Sequence, residues 1–328
     1  MISHLDKIDR HLLDDFQRDF PLVPRPFAVL GKALDLPETE VIERLRAMQA
    51  RGQITRVGAT VRPNTAGAST LAAMAVPEHR IEEVALQVSA EAGVNHSYLR
   101  ENHWNLWFVA TAANAAALQA LLVRLEAATG LRILDLRLKR AFNIDLGFAL
   151  SGPRRQMAPR PDPNLAALQE GDRPILQGLS QGLALCPAPY AALAAELGCE
   201  EAHVLGRIKA LADAEILTRI GVIVRHRSIG WTANAMVVWN IAPERIEAAG
   251  HALAALPGIS LCYERVFVPG VWPYALYSMI HARDRVEALA VLKSALALPE
   301  LAEADHSVLF STRCFKQTGA KLSQERAA

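Results

Sequence analysis

A chain of 328 residues is well beyond the size of one common domain, and with 51% hydrophobic residues it can build more than one core. Its 35 Lys and Arg against 34 Asp and Glu leave a formal net charge of +1, which argues against a surface dominated by phosphate contacts. The four cysteines (Cys186, Cys199, Cys262, Cys314) form no C-x-x-C pair, and no apolar run is long enough to span a bilayer, so we expect free thiols and no transmembrane helix.

The opening residues, MISHLDKIDR, alternate charged with apolar positions and lack a secretory apolar segment, so the expected compartment is the cytoplasm. Leu5, Ile8, Leu12, Leu13 and Phe16 recur at helical spacing over 5–18, and two further helices are expected at 26–35 and 37–51. In the last of these Val41, Leu45 and Met48 share a face, Pro37 opens it and Gly52 stops it. ITRVGATV (54–61) alternates like one strand of a hairpin, making 1–66 a winged helix-turn-helix. Strands are then expected at 70–76, 94–100, 105–111 and 131–138, with helices at 79–91 and 114–129. This β-α-β-β-α-β order over 67–150 is ferredoxin-like. A Pro- and Arg-rich stretch beginning SGPRRQMAPRPDPN makes 151–170 a linker.

The order then repeats. LTRIGVIVRHRSIG from 217 answers ITRVGATVRPNTAG from 54, aligning Arg56 with Arg219, Gly58 with Gly221, Arg62 with Arg225 and Gly67 with Gly230. Further on, Tyr98-Leu99-Arg100 answers Tyr263-Glu264-Arg265. A second winged helix-turn-helix is expected over 171–230 and a second ferredoxin-like unit over 231–318. Its strands lie near 233–241, 259–267, 274–281 and 305–311, and 319–328 is a tail. The fold class is α+β, in two tandem copies. Each sheet should leave one face bare, which invites pairing with another sheet.

The candidate recognition helices open on acid: Glu38, Glu40 and Glu43 in the first copy, Glu200 and Glu201 in the second. Carboxylates aimed at DNA oppose binding, so these units are expected to pack rather than read bases. The sheets carry the chemistry. His96, Tyr98 and Arg100 share a strand face, as do Asn105, Trp107 and Val109, and Tyr263, Arg265, Trp272, Tyr274, Tyr277 and His281 gather in the second copy. Aromatic walls with Arg and His suit a large flat polyanion. The plainer alternative is that Trp104, Trp272 and Tyr277 fill an interface core.

A helix-turn-helix followed by a ferredoxin-like unit resembles the Lrp/AsnC family. The segments NHSYLREN (95–102), WNLWF (104–108) and WPYALYSMIH (272–281), with IDLGF (144–148) and RHRSIGW (225–231), resemble its enzymatic branch. These are the siroheme decarboxylases of heme d1 and alternative heme biosynthesis, in a form with two subunits fused. Ala275 departs from that pattern, where Asn is expected. The resemblance implies a carbon–carbon lyase that removes carbon dioxide from the acetates on C12 and C18 of siroheme. It implies no required cofactor and no metal site of its own, since iron arrives with the substrate. It further implies His281 and His96 as proton donor or axial ligand to the substrate iron, and Arg100 and Arg265 as catalytic carboxylate anchors. Arg62, Arg225 and Arg137 would be further anchors; Tyr98, Tyr263, Tyr274, Asn105, Trp107 and His103 would meet the ring. Siroheme, family-related subunits and self-association through the sheets are the implied partners. A transcription regulator sensing a metabolite or heme is the competing reading. The halves differ where chemistry would sit, which leaves one site, two sites or a composite site open.

Overall fold

The computed structural model describes residues 5–144, 147 and 161–321. The first half runs α1 (Lys7–Asp15), α2 (Pro26–Leu34), α3 (Glu38–Ala50), β1 (Ile54–Val61), β2 (Ala68–Met74), α4 (Ile81–Ala90), β3 (Val94–Arg100), β4 (Leu106–Ala112), α5 (Ala115–Thr129) and β5 (Ile133–Ile144). The second half repeats it: α6 (Asp172–Gln181), α7 (Pro189–Leu197), α8 (Glu201–Asp213), β6 (Leu217–Val224), β7 (Ala233–Asn240), α9 (Ile246–Ala255), β8 (Ile259–Arg265), β9 (Leu276–Ala282), α10 (Arg285–Leu296) and β10 (Asp305–Gln317). Local chemistry sets the boundaries. Asp6 caps α1 by accepting from the Asp9 amide at 2.7 Å, Pro26 and Pro189 open α2 and α7, and Gly130 closes α5 at φ 68°. Linker residues 151–160 and most of IDLGF lie outside the described residues.

The expected wing is not formed within either copy. β1 pairs antiparallel with β6 from the other half, with Gly58 opposite Gly221. Those glycines admit the opposite half's first helix: a Cβ on Gly58 would lie 2.3 Å from the Leu179 carbonyl at the end of α6, and one on Gly221 2.3 Å from the Gln17 carbonyl just past α1. The two helix-turn-helix units therefore share one core, in which Leu12, Leu45, Val57, Leu179, Ile208 and Val222 are all buried. They are not separate domains. Their basic groups are also neutralised internally: Arg44 pairs with Asp6 at 2.7 Å, Asp9 at 3.0 Å and Glu40 at 2.9 Å, Arg25 pairs with Glu38, and Arg207 with Asp172 at 2.7 Å.

The two ferredoxin-like sheets, in orders β5-β2-β4-β3 and β10-β7-β9-β8, join edge to edge into a closed eight-stranded barrel. The long last strand of each half makes the closure. β5 runs on to pair with β8, from Leu138 opposite Arg265 to Ile144 opposite Leu261, and β10 with β3, from Ser311 opposite Arg100 to Gln317 opposite His96. Closure leaves the eight strands no free edge among the described residues, and the inner faces of the two sheets meet across the barrel. Ion pairs flank both seams: Glu264 with Lys139 at 2.7 Å and Arg140 at 3.0 Å, and Glu101 with Arg285 through two bonds of 2.9 Å. Helices α4, α5, α9 and α10 cover the outside over separate cores, while Trp107, Trp272, Tyr277, Met236 and Leu309 from both halves meet within.

Candidate active site

Strand alternation on β3 places His96, Tyr98 and Arg100 on the inner face of the barrel. The His96 and Tyr98 rings stack with centroids 6.3 Å apart, and the Arg100 guanidinium lies 5.7 Å from the Tyr98 ring centre. From there a buried polar chain crosses into the second half. Arg100 Nη1 donates to the Leu309 carbonyl on β10 and to Asn234 Oδ1 on β7, both at 3.1 Å. Asn234 Nδ2 lies 2.8 Å from His281 Nε2 on β9, its register partner. His281 Nδ1 lies 2.6 Å from Ser260 Oγ on β8, whose hydroxyl donates to the Met279 carbonyl at 3.0 Å. Arg100, Asn234, His281 and Ser260 are all buried.

The helix-turn-helix units add to this group. A short 3-10 turn at His226–Ile229 follows β6 and sets the His226 ring edge-on to His281, with centroids 4.9 Å apart. Its neighbour Arg227 reaches the Ser311 carbonyl at 3.2 Å and hydroxyl at 3.3 Å. Arg56 approaches from β1, close enough for its charge to act on His96.

Among the described residues the charged side chains that act on this group, Arg56, Arg100 and Arg227, are all cationic. Burial, with the Arg56 charge beside it, pulls His96 from 6.5 down to about 4. His226 falls to about 4 through burial, then Arg227 and His96. Burial lowers Arg100 to about 10, lowers Arg56 and raises the Tyr98 phenol. No carboxylate is among the groups that shift His96, His226, Arg100 or Arg56. The Nε atoms of Arg56 and Arg227 are buried with no hydrogen-bond partner. His96 and Tyr98 nonetheless keep some accessible surface, as groups lining a recess do. Cations held in the interior with no carboxylate partner among the described residues are costly, and the arrangement is what a polyanion would complete.

Other expected site residues lie elsewhere. Asn105 sits in the turn before β4 and clamps Val76, accepting from its amide at 2.9 Å and donating to its carbonyl at 2.8 Å, so its amide is committed to the backbone. Arg62 is spent on the Pro161 carbonyl at 2.6 Å with Asp162 nearby, and Arg137 lies outside the barrel against Asp135 at 2.9 Å and Gln119 at 3.3 Å. His103 is exposed on the β3–β4 turn against Trp104. Arg225 is exposed, near Cys314. All four cysteines are free.

Arg265, Tyr263, Tyr274 and Trp107 gather at the duplicate of the Arg100 position. Arg265 stacks 5.0 Å over Tyr263 and donates to the Leu136 carbonyl at 2.9 Å, as Arg100 does to Leu309. Trp272 donates to the Tyr277 hydroxyl at 2.7 Å and packs on Trp107 and Tyr274, with centroids at 5.3 and 4.9 Å. Here, by register, Leu261 replaces His96 and Thr111 replaces His281, while Pro63 and Asn64 stand where His226 and Arg227 do. One seam holds the histidines; the other is packed with rings, as core filling would have it for Trp272 and Tyr277. Arg56, His226, Arg227, Asn234 and Ser260 escape the sequence reading. The one visible signal was His226-Arg227 opposite Pro63-Asn64 in an otherwise matched stretch.

Residues 9–54 and 172–217 match the family described as Siroheme decarboxylase NirDL-like HTH domain, and residues 66–143 and 228–316 match the AsnC-like ligand binding domain. The chain is 58% identical over 323 residues to the siroheme decarboxylase NirDL subunit of Paracoccus denitrificans, covering 98% of this chain and 99% of that one. The chain belongs to the siroheme decarboxylase NirDL family. It is also 45% identical over 150 residues, 46% of its length, to 99% of the siroheme decarboxylase NirD subunit of Stutzerimonas stutzeri, so members of this family occur as separate subunits too. Among solved structures, a siroheme decarboxylase NirDL in co-complex with an iron-uroporphyrin III analogue matches with a TM-score of 0.65 and 27% identity, over 93% of this chain and 91% of that one.

Proposed function

We propose that this protein is a siroheme decarboxylase, a carbon–carbon lyase that removes carbon dioxide from the acetates on C12 and C18 of siroheme to give 12,18-didecarboxysiroheme for heme d1 synthesis. The observation that carries the reading is the inward-facing cluster of Arg56, Arg100, Arg227, His96 and His226, in which no carboxylate of the described residues is among the groups that shift Arg56, Arg100, His96 or His226. Siroheme is a flat macrocycle rimmed with carboxylates, so it supplies both the missing negative charge and a surface for the stacked His96 and Tyr98 rings. Its relatives' names and the solved complex with an iron-uroporphyrin analogue support the same substrate class.

In this reading Arg100 and Arg227 hold carboxylates and orient one acetate. As its carbon–carbon bond breaks, the electron pair stays on the methylene and spreads into the ring; a proton then converts methylene to methyl. No separate cofactor is needed for that step. His96, whose ring nitrogens make no side-chain hydrogen bond among the described residues, is the proton donor we assign. Burial is the larger cause of the lowered His96 pKa and the Arg56 charge the lesser; substrate carboxylates would offset that charge and raise the pKa, which favours the charged acid. Both halves of the chain contribute to this cluster, β1 and β3 from the first and β7, β9 and the His226 turn from the second. No helix among the described residues is long and apolar enough to cross a membrane, and we place the reaction in the cytoplasm. Anaerobic incubation with siroheme should shift the Soret band and then remove one and two carbon dioxide masses. A bound tetrapyrrole returned with its mass unchanged would refute the enzyme and leave a binding protein.

A further inference from the structure

The direction of every hydrogen bond in the chain from Arg100 to Met279 is fixed by elementary donor and acceptor rules. A guanidinium can only donate, so the Asn234 atom facing Arg100 is its carbonyl oxygen. The Asn234 NH2 must then face His281, and because it donates, His281 Nε2 accepts. A neutral imidazole with an accepting Nε2 carries its proton on Nδ1, which it gives to Ser260 Oγ. Ser260 is free to receive it because its own hydroxyl hydrogen goes to the Met279 carbonyl. One arginine in the first half thus dictates the tautomer of a histidine in the second. At the equivalent positions of the other seam, Ser69 and Thr111 carry no amide and no imidazole.

We propose that Asn234 is a positioning residue that couples Arg100 to His281: it holds His281 as the Nδ1–H tautomer while Arg100 is unengaged, and releases it when a carboxylate takes the guanidinium. With Arg100 drawn away, the amide is free to turn over and present Oδ1 to His281. Nε2 then becomes a donor, and the imidazole can hold a proton on both nitrogens, one bonded to Asn234 and one to Ser260. The recess thereby senses that an anionic group is seated before His281 changes its proton inventory. His281 touches Asn234 and Ser260 with its two ring nitrogens, so it acts through this network rather than as a bare ligand to iron. The catalytic consequence rests on the decarboxylase reading; the tautomer and its release do not.

The test uses the full chain labelled with nitrogen-15 in its histidine rings, the His281 signals being assigned by their loss in His281→Gln. A protonated, pyrrole-type Nδ1 and a bare, pyridine-type Nε2 are expected without ligand, and saturating uroporphyrin should move Nε2 to the protonated type. In Asn234→Leu the ligand should no longer move it. Ser260→Ala and Ser260→Thr both leave the Arg100–Asn234 bond in place, so both should keep the Nδ1–H tautomer without ligand, and an Nε2–H ring in either would overturn the dominance of Arg100. In turnover, Asn234→Leu and Ser260→Ala should lower kcat roughly ten- to a hundredfold with KM nearly unchanged. An Nε2–H ring in the ligand-free protein overturns the proposal, as does a ligand response that survives in Asn234→Leu. If the wild-type protein shows the nitrogen signals but never decarboxylates siroheme, the functional reading falls and the coupling stands.

Discussion

Replacing Arg100 with Met should separate what this residue does for folding from what it does for binding. Its guanidinium is buried, and burial lowers its pKa from the ordinary guanidinium value to about 10. That depression means that carrying the charge into the fold costs about 3 kcal/mol of stability at every pH below about 10, where the guanidinium is protonated in both states. Against this, Met forfeits bonds to the Leu309 carbonyl and Asn234 Oδ1, together about 2–3 kcal/mol. Asn234 can limit its own loss by turning toward His281. The two sides nearly cancel, so urea unfolding should show a stability within about 1 kcal/mol of wild type, where truncation of a well-paired buried arginine would cost about 3–5 kcal/mol. Uroporphyrin affinity, followed by quenching of tryptophan fluorescence, should fall by about 2–4 kcal/mol, or roughly 30- to 1000-fold. A large loss of stability with unchanged porphyrin affinity would show that Arg100 is a structural group and that the recess is not its purpose.

Three other outcomes follow from the same geometry. His96 and His226 stay neutral in the fold down to about pH 4, while the unfolded chain protonates them near 6.5. The ligand-free protein should therefore lose up to about 3 kcal/mol per histidine as pH falls through that window, and a His96→Gln, His226→Gln double variant should lose that part of the slope; an unaltered slope would contradict it. Arg56→Leu removes the cation beside His96, so NMR titration should show the His96 pKa above about 4, and an unmoved value would remove Arg56 from the site. Gly58→Ala puts a methyl 2.3 Å from the Leu179 carbonyl and should cost about 1–3 kcal/mol in thermal unfolding, whereas Gly171→Ala meets nothing within 4 Å and should be nearly silent. Equal effects at the two glycines would mean the β1–β6 ribbon is looser than its packing implies.

Local periodicity carried most of the fold, and its failures lie at the junctions between halves. ITRVGATV reads as a strand whatever its partner, so nothing in it distinguishes a hairpin wing from pairing with LTRIGVIV. The apolar alternation of the last strand in each half fades near 138 and 311, where the strands were expected to stop. The more polar residues beyond, to Ile144 and Gln317, are those that pair with the other half and close the barrel. The same limit governs the site. Alternation put His96, Tyr98 and Arg100 on one face correctly because they occupy one strand. It misjudged Asn105, which precedes β4 and whose amide is consumed by Val76. Asn234 and Ser260 are small polar residues in apolar strands, and only the register that sets them beside His281 gives them meaning.

The matched pair of glycines at Gly58 and Gly221 marks the approximate twofold axis of the duplication, and that rotation carries one seam onto the other. A homodimer of either half would be bound by that axis: any arginine or histidine set into one seam would recur in the other. The molecule would then carry two unbalanced recesses and the instability of both. Joining the halves in one chain breaks that obligation. Leu261 and Trp272 harden one seam with apolar and aromatic packing, and Thr111 stands there in place of an imidazole, leaving the other seam free to accumulate buried charge. The aromatic seam is ballast, holding the barrel shut while its twin is kept charged and waiting for an anion.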